Sequence, residues 1–147
     1  MHAQSAVSRE IIAHDFMMST HSKLDEEKIE ANVATLLNTT ASYPANGSVA
    51  SLIFYLKFQV QITSDGGETF NGNAGGVSSP GGGALFGDVY TDDLNRLYRD
   101  TVSFEFQGTP VYLSILFFDG DSNLLGHFQA GAVSTVLGVG GGKGEWS

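Results

Sequence analysis

The sequence predicts an all-β domain of eight short antiparallel strands, closed as a sandwich or a barrel, behind an N-terminal arm that is helical or disordered. Three observations predict it. In the run 49–63, VASLIFYLKFQVQIT, every second residue from Leu52 is apolar (Leu52, Phe54, Leu56, Phe58, Val60, Ile62), and from Lys57 the residues between are polar. Successive side chains of a strand point to opposite faces, so this pattern buries one face of a strand and would scatter around a helix. Turn signals then recur at short spacing, which makes neighbouring strands antiparallel. Nineteen glycines, three prolines and no cysteine in 147 residues suit a tightly curved sheet that needs no disulfide.

The bulk numbers narrow the function. Seven Lys and Arg stand against sixteen Asp and Glu, a formal charge of −9. Nucleic acid requires a basic footprint, so it is not an expected partner. Simple electrostatic attraction to anionic lipid is also disfavoured at neutral pH. The pI is about 4.6, so more membrane association is expected in acid than at pH 7. Without cysteine, thiolate chemistry and Cys-based zinc sites are excluded. No run of eighteen apolar residues is present, and IIAHDFMM, broken by His14 and Asp15, does not form a signal-peptide pattern.

Residues 1–48 read as a flexible arm before a β core at 49–147. Residues 1–21 show no sustained period. An amphipathic helix is expected over 22–40, capped by Ser22 with Asp25, with Leu24, Ile29, Val33, Leu36 and Leu37 along one side. Tyr43 to Ser48 reads as a linker. The expected strands are 49–63, 69–78, 84–90, 101–106, 111–118, 124–130, 132–139 and 144–147, with a short helix at 92–99 capped by Thr91. Ala74 to Ser79 (AGGVSS) is echoed by Ala130 to Thr135 (AGAVST), each followed by three glycines, as two similar halves of one barrel would show. An eight-stranded barrel can be filled by its own side chains.

Motifs that carry chemistry fail in detail. In Leu137 to Gly144 a phosphate loop would need glycine where Leu137 stands and Ser or Thr after Lys143. Asp119 to Asn123 begins like a calcium loop, but Leu124 stands at its sixth position and Ala130 at its twelfth. Of the histidines, His2, His14 and His21 lie in the arm and His127 is isolated in a strand, so no metal site is expected. Ser78, Ser79, Ser114 and Ser134 lack a nucleophile-elbow context, and Asp92 and Asp93 read as helix N-terminal acids. No catalytic residue and no cofactor site is assigned. What remains is apolar surface. Ile53, Tyr55, Tyr112, Leu116 and Phe118 fall on the face opposite the core, either under the N-terminal helix or free to touch lipid, detergent or a partner.

A family resemblance rests on Ala74 to Val77, Pro80 to Gly87 (PGGGALFG), Asp93 to Phe104 (DLNRLYRDTVSF), Phe117 to Asp119 and the tail Leu125 to Gly142 (LGHFQAGAVSTVLGVGGG). Together these resemble the virulence-associated (Vap) proteins of pathogenic rhodococci, over residues 49–147. The resemblance implies a compact closed eight-stranded antiparallel barrel of two Greek keys with one short helix and no open cavity. It implies an exported protein without known enzymatic activity; a monomer without a cofactor is expected. A studied relative disturbs endolysosomal maturation from within the macrophage phagosome. The resemblance therefore implies contact with host endolysosomal membrane lipid or with a host protein. The alternative is a lipocalin- or avidin-like carrier of a small apolar ligand, which needs a lumen on the order of a few hundred Å³.

Overall fold

The computed structural model describes residues 8–20, 25–75, 80–133 and 136–147. Two helices, α1 (Arg9–Thr20) and α2 (Glu26–Asn38), precede β1 (Ser42–Ser51), β2 (Tyr55–Ile62), β3 (Thr69–Gly75) and β4 (Gly81–Tyr90). A short helix α3 (Leu94–Asp100) leads to β5 (Ser103–Gly108), β6 (Leu113–Phe118), β7 (Leu124–Ala130) and β8 (Gly138–Trp146). The eight strands close into one antiparallel barrel in the order β1-β2-β3-β8-β5-β6-β7-β4, with β4 returning to pair with β1.

The expected number of strands is met by two compensating differences. The run 49–63 is not one strand. The chain reverses at Leu52 to Phe54, and β1 and β2 pair as Val49↔Phe58 and Ser51↔Leu56. Only 55–62 keeps the strict exposed–buried alternation, burying Leu56, Phe58, Val60 and Ile62. Tyr43 to Ser48, expected as a linker, is the first half of β1 and pairs with β4 from Ser42↔Tyr90 onward. Pro44 is tolerated because it lies at the outer end of the β1–β2 ladder, where its carbonyl accepts from Thr63 N at 3.0 Å. At the other end of the chain, the expected strands 132–139 and 144–147 are replaced by the single β8. Its glycines do not break it, since β3 and β5 pair with it on both sides.

The interior is filled by aromatic rings. Phe58, Phe70, Phe104, Phe106, Phe117, Phe128 and Trp146 are all buried in one cluster. Phe70 and Phe117 centroids are 4.9 Å apart at 67°, and Phe58 and Phe106 are 5.1 Å apart. Edge-on packing such as that of Phe70 and Phe117 adds roughly 0.5–1.5 kcal/mol per pair to the burial itself. The rings use space that side chains would otherwise take. A Cβ on Gly72 would meet Phe104 and Phe70 at 2.6 Å, and one on Gly140 would meet Phe106 at 2.7 Å.

A second cluster lies outside the barrel. Ile12, Ala13 and Phe16 of α1 and Leu36 of α2 cover Tyr112, Leu116, Phe118 and Leu124 on the outer face of β6 and β7. This explains why every residue of β6 is buried. Asp25 caps α2 by accepting from Lys28 N at 2.8 Å; the expected cap Ser22 lies outside the described residues. Buried Asn32 fastens α2 to the β6–β7 turn. Its Nδ2 donates to Ser122 O at 3.0 Å and its Oδ1 accepts from Leu124 N at 2.9 Å. Residues 9–20, where no period was legible, form α1. For α3 the cap is Asp93, not Thr91. Thr91 is buried instead, and its hydroxyl donates to Leu125 O at 2.8 Å.

Candidate contact surface

The polar residues that invited chemical readings are occupied by the fold. Asp93 accepts from Arg96 N at 3.0 Å, and Asp92 accepts from Thr40 N at 3.3 Å. The Asp119 carboxylate organises its own turn, accepting from Asp121 N and Asn123 N at 2.9 Å each, with Arg96 at 3.4 Å. Burial alone would raise its pKa, but the bonds from Asn123 and Asp121 and the Arg96 charge hold it below the usual carboxylate range. Ser114 is buried and accepts from Gln129. Ser78, Ser79 and Ser134 lie outside the described residues. Among the described residues, no three His, Asp or Glu side chains converge as a metal site would require.

Among the described residues, Ser51 Oγ, Gln129 Oε1, Trp146 Nε1 and His127 Nε2 are buried without a hydrogen-bond partner, and of these only His127 titrates near neutral pH. It is fully buried on the outer face of β7, with its ring stacked on Tyr90 at 5.0 Å. Gln129 Nε2 lies 2.8 Å from Nδ1, which assigns the ring proton to Nε2. That Nε2 has no partner, so only one of the two ring nitrogens is satisfied. Burial, with the Arg9 charge second, pushes its pKa down to about 3. The Arg9 guanidinium itself sits 4.6 Å from the Tyr90 ring centre.

The five apolar candidates separate into two groups. Tyr112, Leu116 and Phe118 are not a free surface, because α1 and α2 bury them. The Tyr112 hydroxyl donates to the Asp15 carboxylate, and burial together with that bond raises its pKa. Ile53 and Tyr55 are exposed, and they belong to the β1–β2 hairpin tip. The alternation rule places Leu52 and Phe54 inward; in the structure both are 70% exposed on this tip. Leu52 N donates to Tyr55 O at 2.8 Å and Phe54 N to Leu52 O at 3.0 Å, so the tip is closed on itself. Ile53 has φ 78, in the left-handed region. A β-branched residue there costs about 1–2 kcal/mol, and nothing in the sequence announces it.

A family model described as "Rhodococcus equi virulence-associated protein" matches residues 2–147. The chain belongs to that family. The match takes in residues 2–48 of the arm as well as the 49–147 over which the resemblance is drawn. Two solved structures are similar over 73% of the chain. One is the virulence-associated protein VapB of Rhodococcus equi, at 50% identity and TM-score 0.69, with 96% of its own chain covered. The other is VapD of the same organism, at 42% identity and TM-score 0.70, with 97% covered. No curated protein matches.

Proposed function

We propose that this family member is a secreted, non-enzymatic virulence-associated protein that acts in the host phagosome by surface contact with host membrane lipid or a host protein. The observation that carries this reading is the exposed Leu52–Tyr55 tip on a barrel whose interior is already occupied. Apolar side chains held in solvent by a strained, closed turn mark a contact site more often than an accident of folding. Placement in a virulence-associated family supplies the host context. The carrier alternative finds no support, since Phe58, Phe104 and Phe106 fill the barrel, although Phe54 does not join them. We also read the barrel as two Greek keys: β4 returns beside β1 after the β1-β2-β3 meander, and β8 beside β5 after β5-β6-β7, which supports that reading.

The test is cosedimentation of the full chain with phosphatidylcholine and phosphatidic-acid vesicles at pH 7.4 and pH 5, run beside capture from macrophage lysate. Binding in the vesicle arm, stronger in acid as the charge of −9 is neutralised, is the expected result. Binding in neither arm refutes the reading.

A further inference from the structure

We propose that the barrel docks end-on to the surface of a phospholipid bilayer, through the rim where the β1–β2 and β5–β6 connections lie beside the first residues of β8. This rests on the contact reading above and names its surface, orientation and partner. The pairings Ser51↔Gly81, Tyr55↔Gly75, Gly75↔Gly141, Gly108↔Gly138 and Leu113↔Ala130 bring the β1–β2 and β5–β6 connections, the last residues of β3 and β7 and the first residues of β4 and β8 to one end of the barrel.

The sequence runs that lead into that end carry no charge. The runs 49–56, 74–87, 106–118 and 128–142 contain no Asp, Glu, Lys or Arg. The connections of the opposite end (63–68, 91–102 and 119–123) carry seven acids and two arginines, a net −5 out of the chain's −9. An acidic protein with its charge spread evenly would meet a membrane only against repulsion and desolvation cost. Segregation removes that cost at one end and keeps the acids in water at the other.

The rim is also apolar. Leu52, Phe54, Tyr55, Val111, Leu137 and Val139 are exposed there, on connections spread around the barrel mouth. The runs that lead into it hold neither Arg nor Met, both enriched where proteins meet proteins. The exposed tips suit a soft, planar, apolar phase. Backbone groups on the rim are prepared for it as well. Leu52 N and Phe54 N bond within their turn, and Val111 N and Tyr112 N donate to Thr109 Oγ1 at 3.2 and 3.0 Å. Internally satisfied donors lower the cost of leaving water. Three charges flank it: Lys57, Asp15 and Glu105, the last paired with Gly141 beside Val139 and in need of protonation or of the headgroup layer. Lys57 stands two residues from Tyr55, roughly 7 Å along the strand, within reach of headgroup phosphates. Asp15 of α1 is bound by the Tyr112 hydroxyl.

The absence of cysteine makes orientation measurable. In the full chain, Phe54→Cys and Val102→Cys each give one thiol for an environment-sensitive dye; both sites are exposed, at opposite ends. Phosphatidylcholine vesicles at pH 5 are the probe, and sedimentation of the unlabelled chain reports binding independently. The expected result is sedimentation, a blue shift of the dye at 54, no shift at 102, and a loss of partitioning by roughly tenfold or more in Phe54→Asp. Unchanged emission of Trp146, the single tryptophan, verifies that this variant is folded. Sedimentation with the dye at 54 still in water, or with the dye at 102 shifted, overturns the end-on orientation while leaving surface contact standing. No sedimentation overturns the bilayer as the partner, and the contact reading is then decided by its protein arm.

Discussion

Acid reaches this fold through His127. Its folded pKa of about 3 lies below the ordinary histidine value of 6.5, because the neutral ring is buried between β7, Tyr90 and the helical layer, with Arg9 nearby. Between those values the unfolded chain holds a proton that the folded chain refuses. Stability is therefore unaffected above pH 6.5 and falls as pH drops below it, saturating near pH 3. From pH 7.5 to pH 5 the loss is about 2 kcal/mol. The perturbation is His127→Phe, which keeps a ring against Tyr90, removes the unpartnered Nε2, and leaves Gln129 bonded to Ser114. The assay is urea unfolding followed by Trp146 emission at both pH values. Half-buried carboxylates such as Asp119 titrate in both proteins, so the difference between the two pH profiles isolates the imidazole. A smaller acid loss in the variant, by about 2 kcal/mol, is expected. Parallel profiles would refute the reasoning.

Three other outcomes follow from the packing. Asn32→Ala leaves Leu124 N buried without an acceptor and should cost about 1–3 kcal/mol, read by denaturant midpoint at unchanged slope. Phe16→Ala should cost about 3–5 kcal/mol in that seam and raise binding of an apolar dye as Phe118 and Leu116 lose their cover; no dye response would show that the helices do not protect this face. Ile53→Asn relieves the left-handed backbone and should stabilise the fold by about 1 kcal/mol in thermal unfolding, whereas a loss would show that Ile53 packs more than its exposure suggests.

Much of the barrel was legible in the sequence because period-2 patterning and short turns are local signals. Strand β7 was expected at 124–130 and is found at Leu124–Ala130. Reading failed where tertiary pairing decides local structure. Glycines 140–142 look like a turn, yet two flanking strands hold them extended. Tyr43 to Ser48 looks like a linker, yet β4 recruits it. The contact residues divided for the same reason. A double-faced apolar strand such as β6 announces that both faces are covered; the expected helix, α2, supplies part of the cover, and the rest is α1, whose sequence shows no clear period. The hairpin tip was hidden by a turn without glycine or asparagine, in which Ile53 takes the conformation those residues prefer.

Closure of the sheet has a consequence for recognition. Every strand already has two hydrogen-bonded neighbours, from β1 around to β4, so there is no free edge for a foreign segment to extend. Main-chain β-augmentation, a common and sequence-tolerant way to capture a peptide, is unavailable to this scaffold. Binding must be done by side chains projecting from loops and outer faces. Affinity can then be changed one residue at a time without disturbing the ring of strands, and two proteins sharing this barrel can differ completely in what they touch.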